Sequence, residues 1–122
     1  MFAAKYKLDN LVAICDRNYI QIDGNTESVM PLGDMAAKYR TFGWNAITVN
    51  GHDYKALMNA LEEAKKMKGR PTMIIAETTP GKGVAAFENK YEWHGVAPKP
   101  EEGQKALAEL AEERKRIENE PE

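Results

Sequence analysis

The chain has 122 residues, which is room for one domain. Hydrophobic residues make up 43% and charged residues 30%, a globular rather than disordered balance, and a formal net charge of −2 offers no positive footprint for nucleic acid. A single cysteine, Cys15, excludes an intrachain disulfide.

Membrane and export signals are absent from the sequence. No apolar run approaches the roughly 20 residues that a membrane span needs. The opening MFAAKYKLDN lacks the apolar core of a signal peptide. A cytoplasmic protein with no membrane and no nucleic-acid partner is expected.

In chain order, MFAAKYK reads as the last turns of an amphipathic helix, with Phe2 and Tyr6 on one face. Leu11 to Cys15 is a short apolar run closed by Asp16-Arg17-Asn18, the pattern of a strand buried in a parallel sheet. Tyr19 to Gly24 alternates briefly and ends in an Asp-Gly turn signal. Pro31 opens a helical pattern through Leu32, Met35, Ala36, Tyr39 and Phe42, stopped at Gly43. Trp44 to Val49 is a second strand candidate.

Asp53 is placed to cap a helix whose stripe is Tyr54, Leu57, Met58, Leu61 and Ala64. Thr72 to Ala76 is a third apolar run. Thr78 to Gly83 is a loop, and Phe87 to Pro100 is irregular. From Glu101 the composition predicts a terminal helix that frays after about Arg116. The expected organisation is residues 1–100 as one partial domain and 101–122 as a helix and frayed tail.

Strands alternating with crossover-length helices predict an α/β fold: a three-layer αβα arrangement on a small parallel sheet. So small a sheet should have at least one edge covered by a tail or a partner.

Ligands of open α/β sheets bind beyond the carboxyl ends of the strands. The segments 16–24, 51–53 and 77–83 are therefore the places to look. Asn18 offers a hard oxygen just past a strand, and the carbonyl of Ile20 could add a second, the donor type Mg²⁺ accepts. The plain alternative is that Asn18 caps a turn. The TTPGKG loop has glycines that allow close backbone approach and Lys82 as a point charge, but not the spacing of a P-loop. His94, in Glu92-Trp93-His94-Gly95, could shuttle a proton or meet a phosphate; a histidine hydrogen-bonded in its loop is the alternative. His52 reads as structural and Cys15 as a small buried hydrophobe.

Taken in order, LDNLVAICDRNYIQIDG, FGWNAITVNGHDYKALMNALEEAKKMKGRPTMIIAETTPGKGV and ENKYEWHGVAPKPEE closely resemble transketolase. The nearest likeness is to the amino-terminal subunit of split transketolases. The likeness covers the first residue to about Leu110, and DRN-x-I-x-I-DG, GHD, GKG and EWHG in this order make it specific.

The resemblance implies a truncated thiamine diphosphate-binding domain, with thiamine diphosphate and Mg²⁺ as cofactors. Asn18 matches the asparagine that ends the family's metal motif, and Ile20 the residue whose carbonyl completes the protein ligands. Ile22 matches a hydrophobic residue packed near the thiazolium ring. His94 matches a histidine that contacts the diphosphate near the reacting centre, which makes it the expected catalytic residue. The implied reaction moves a two-carbon ketol unit between sugar phosphates, as in the pentose phosphate pathway.

The family's Gly-Asp-Gly, with its metal-binding aspartate, does not occur in this sequence. The pyrimidine-binding domain, with its activating glutamate, is absent too. Partner chains carrying both are therefore expected, in a homo- or hetero-oligomer, with sugar phosphates as substrates of the assembly and no activity for this chain alone. The alternative is a catalytically silent fragment that self-associates or binds a partner.

Overall fold

The structure is a computed structural model and describes residues 1–120. Its elements in chain order are α1 (Phe2–Lys5), β1 (Val12–Arg17), β2 (Ile20–Gln21), β3 (Gly24–Asn25), α2 (Thr26–Val29), α3 (Met35–Thr41), β4 (Asn45–Asn50), α4 (Tyr54–Lys66), β5 (Thr72–Glu77), a 3-10 turn (Tyr91–Trp93) and α5 (Pro100–Glu118). They fall into two units. The first is Met1–Asn18 with Met30–Thr78, and the second is Tyr19–Val29 with Thr79–Glu122. The last two residues of the predicted tail, 121 and 122, lie outside the described residues.

In the first unit the three apolar runs form a parallel sheet in the order β1-β5-β4. The register sets Ile14 and Ile47 on either side of Ile74. β5 is the central strand and is buried from Thr72 to Ala76. That explains its continuous apolar run, since a strand covered on both faces has no polar side to alternate with.

The connection β1-α3-β4 steps across the sheet past β5, and β4-α4-β5 steps back. Right-handed crossovers in opposite directions put their helices on opposite faces. Side-chain parity agrees. Ala36 of α3 packs with Ala46, Met73 and Ile75, flanked by Ala13, Cys15, Tyr39 and Trp44. Ile74 points to the other face and is fully buried; α4 packs on β4 and β5 and buries Ala60 and Ala64. The expected α/β fold is therefore present, with a layer of helix on each face of a three-stranded parallel sheet.

Some local details differ from the sequence reading. The helix expected from Pro31 starts at Met35, because Gly33 takes a left-handed turn (φ +58°) and Asp34 caps the new helix by accepting from the Ala37 N–H at 2.8 Å. β1 and β5 run past their apolar residues, as far as Arg17 and Glu77, since backbone pairing does not depend on an apolar side chain; Arg17 is itself buried and Glu77 exposed. α2 was not expected. The Asn25 side chain accepts from the Glu27 N–H at 2.9 Å and starts this single turn. Asp53 caps α4 as expected, accepting from the Ala56 N–H at 2.9 Å.

In the second unit, Val84 and Ala106 are buried. Phe87 and Trp93 rings pack at a tilt of 52° with centroids 4.4 Å apart, and the Trp93 indole N–H donates to the Ala86 carbonyl at 3.2 Å. α5 is tied to the loop before it by the Ala85 N–H, which donates to Glu109 at 2.8 Å. α5 extends to Glu118, beyond the predicted fraying point, with pairs such as Arg114–Glu118 at 2.7 Å along its last turns. Among the described residues no helix is long and apolar enough to cross a membrane.

Candidate functional site

The segment after β1 becomes a two-residue hairpin. Ile20 pairs antiparallel with Asn25, and Gln21 with Gly24, around a tip made of Ile22 and Asp23. The next pair outward is hydrogen-bonded, because the Thr26 N–H donates to the Tyr19 carbonyl at 2.8 Å. Antiparallel ladders alternate hydrogen-bonded and non-hydrogen-bonded pairs. Ile20 and Asn25 therefore form a non-hydrogen-bonded pair, and the Ile20 carbonyl points outward from the ribbon.

Tyr19 makes this geometry at a conformational cost. Its φ is +61°, in the left-handed region that non-glycine residues rarely adopt. The turn lies between Asn18 and Ile20, the two expected metal donors. Asn18 closes the first unit, half-buried just past β1.

Ile22 is 70% exposed at the hairpin tip, a large apolar side chain where turn chemistry favours a polar one. Gln21 was not singled out by sequence reasoning, yet its Nε2 is buried with no hydrogen-bond partner. A buried donor without an acceptor costs about 1–3 kcal/mol. The alternation of YIQIDG was the only signal, and it could not say that the amide would be enclosed.

His94 is exposed and follows the 3-10 turn, with its N–H donating to the Tyr91 carbonyl at 2.8 Å. It belongs to the second unit with Ile20 and Ile22.

The TTPGKG loop owes its glycines to packing. A Cβ on Gly81, where φ is +72°, would stand 2.8 Å from the Phe87 backbone. A Cβ on Gly83 would meet Leu110 at 3.0 Å, and its N–H donates to Glu88 at 2.9 Å. Lys82 faces the same Glu88 at 3.8 Å. An open groove of about 880 Å³ runs along Lys82, Glu88, Glu109, Glu113 and Arg116. Glu88 and Glu109 are held by backbone N–H groups and Glu113 by Arg116; Lys82 lines the groove, and Asn18, Ile20, Ile22 and His94 do not.

At the carboxyl ends of β1 and β5, the Thr78 hydroxyl donates to the Asp16 carboxylate, and the Thr78 N–H donates to the Arg17 carbonyl at 3.2 Å. Gly51 is needed beside them, since a Cβ there would meet Glu77 O at 3.0 Å and crowd the Thr78 methyl. Cys15 lies beside the first unit's core cluster, as expected of a small hydrophobe.

The amide oxygen of Asn18 and the carbonyl of Ile20 are neutral hard donors, the chemistry Mg²⁺ takes. Among the described residues no group of three or more His, Cys, Asp or Glu could hold a metal ion.

Residues 1–117 match the family model described as transketolase, thiamine diphosphate binding domain. An apulose-4-phosphate transketolase subunit from Phocaeicola vulgatus is 38% identical over 120 residues, covering 98% of this chain and 43% of that protein. A 6-deoxy-6-sulfo-D-fructose transketolase subunit from a Clostridium species is 39% identical over 113 residues, covering 93% of this chain and 41% of that protein. Among solved structures, transketolase from Campylobacter jejuni is similar with a TM-score of 0.82 and 34% identity over 90% of this chain and 17% of that one. Transketolase from Leishmania mexicana gives 0.81 and 35%, over 90% and 16%. The chain thus spans less than half the length of these two bacterial relatives.

Proposed function

The chain belongs to the transketolase family through its thiamine diphosphate-binding domain, and on that premise we propose that it is one cofactor-binding part of an assembled transketolase. Residues 1–100 form that part, and 101–122 a terminal helix and tail. The assembly works in the cytoplasm and transfers a two-carbon ketol unit from a ketose phosphate to an aldose phosphate, the chemistry of the pentose phosphate pathway. The relatives' names, subunits for apulose-4-phosphate and for a sulfonated fructose, favour a chain that works with a partner subunit.

Asn18 and the Ile20 carbonyl would be this chain's donors to Mg²⁺, which would neutralise charge on the cofactor diphosphate. Ile22 would offer its exposed side chain to the thiazolium ring and exclude water there. His94 would donate to the cofactor diphosphate and could hold or pass a proton at its imidazole. Thiamine diphosphate, when bound, supplies the nucleophilic carbon that this chain's side chains lack. A carboxylate ligand for the metal and a glutamate to activate the aminopyrimidine come from other chains.

The observation that supports this most is the hairpin parity. The sequence motif names Ile20 as a carbonyl donor, and the ladder turns that carbonyl outward two residues after Asn18. A missing charged ligand costs about 3 kcal/mol, or roughly a hundredfold in affinity. Calorimetric titration with thiamine diphosphate, with and without Mg²⁺, is the test. Weak Mg²⁺-dependent binding is expected, lost in Asn18→Ala and weakened in His94→Ala. Binding indifferent to Mg²⁺ and to Asn18 would refute the metal role. No binding at millimolar cofactor by the folded chain would refute the cofactor site.

A further inference from the structure

We propose that Thr78 is a positioning residue for Asn18: its hydroxyl and its backbone N–H together fix the end of β1 from which that donor emerges. The inference rests on the functional reading above and adds to it the residue that aims the Asn18 amide.

β5 ends at Glu77, in register with Arg17 of β1 and Asn50 of β4. One residue further on, Thr78 makes two bonds back to β1. Its N–H donates to the Arg17 carbonyl at 3.2 Å, and its hydroxyl donates to the Asp16 carboxylate. The Arg17 carbonyl belongs to the same planar peptide unit as the Asn18 N–H. The first bond therefore fixes the plane in which Asn18 begins. The second holds the side chain two residues before it. What remains free at Asn18 is rotation about its own bonds.

Threonine carries a methyl and a hydroxyl on one carbon, and here they have different neighbours. Gly51, the residue after β4, sits on the methyl side. Its N–H donates to the Glu77 carbonyl at 2.7 Å, and a Cβ on it would crowd the Thr78 methyl. A β-branched side chain is stiff about its first bond. Seating the methyl against Gly51 thus leaves the hydroxyl turned to Asp16. The ends of all three strands meet at this one side chain.

The side-chain bond is poorly placed to serve stability. Asp16 is exposed and Thr78 only half-buried, so water competes for both partners and the net gain is small. It is well placed to serve direction, at the carboxyl ends of the strands, where open α/β sheets meet their ligands. A metal donor depends on the groups that hold its orientation, and losing such a group costs roughly 10–100-fold in metal affinity.

The test is calorimetric titration of the full chain with thiamine diphosphate, in Mg²⁺ and in EDTA, at a temperature where every variant is folded by circular dichroism. Thr78→Val keeps the shape and removes the hydroxyl. It should lower the Mg²⁺-dependent affinity about tenfold, and Thr78→Ser should recover most of that loss. In an Asp16→Ala background Thr78→Val should have no further effect, because the two residues act as one unit. A second readout needs no cofactor. The NMR order parameter of the Asn18 amide should fall from the rigid range, about 0.85, in Thr78→Val and return in Thr78→Ser. A Thr78→Val chain that melts lower but keeps its Mg²⁺-dependent affinity and its Asn18 order parameter overturns the proposal, since Thr78 is then only a strand-end clip. A loss in Asp16→Ala that Thr78→Val does not share also overturns it, because Asp16 then acts through its charge. Binding that needs Asn18 and ignores Thr78 removes this proposal alone. No Mg²⁺-dependent binding by the wild-type chain removes the functional reading, and the proposal with it.

Discussion

Tyr19 and Gln21 are the residues at which the hairpin departs from what stability alone would choose. A left-handed conformation costs a non-glycine residue about 1–2 kcal/mol, and glycine gives back about 0.5–1 kcal/mol of that in unfolded-state entropy. Tyr19→Gly should therefore change stability by less than about 1 kcal/mol. Tyr19→Ile, β-branched at φ +61°, should lower it by more than that. Urea unfolding of the two variants decides the matter, and equal losses would mean that the left-handed turn is absent in solution. Gln21→Met removes an enclosed donor at nearly constant shape. It should raise stability by about 1 kcal/mol; a loss would show that the amide has a partner in solution.

At the scale of elements, what was legible in the sequence was what neighbouring residues decide. The apolar runs at 11–15 and 72–76 became strands, and Asp53 capped α4, because periodicity and caps act within a few residues. Asp53→Ala should cost about 1 kcal/mol in thermal unfolding, the usual worth of an N-cap. Long-range packing was not legible. Gly81 is set by the Phe87 backbone, and the burial of Gln21 by enclosure that alternation cannot reveal. The motif named Asn18 and Ile20, but only the ladder, through the Thr26 to Tyr19 bond, shows where the Ile20 carbonyl points.

α5 adds a prediction about pH. Glu113 is held below the ordinary glutamate value, first by its hydrogen bond from Arg116. A lowered carboxylate pKa gives stability that is complete above the unfolded value and lost as pH falls through the folded one. Helicity by far-UV circular dichroism should thus be level at neutral pH and decline slightly on acidification through the carboxylate range. The pair is exposed, so salt at about 0.5 M should erase the difference between wild type and Glu113→Gln. A difference that survives salt would mean that Glu113 does more than pair with Arg116.

At the scale of the whole molecule, the proposed site offers donors without the charges that would complete them. Mg²⁺ bound to a diphosphate is ordinarily met by one or two carboxylates, and the proposed donors here are an amide and a backbone carbonyl. On the proposed reading, ketol transfer further needs the aminopyrimidine activated by a carboxyl group of the pyrimidine-binding domain, which is not among these 122 residues. The chain alone should therefore give no ketol transfer from a ketose phosphate to an aldose phosphate, even with saturating thiamine diphosphate and Mg²⁺. A coupled assay of the purified chain measures this directly. Turnover that falls in Asn18→Ala would show that one chain carries the whole chemistry.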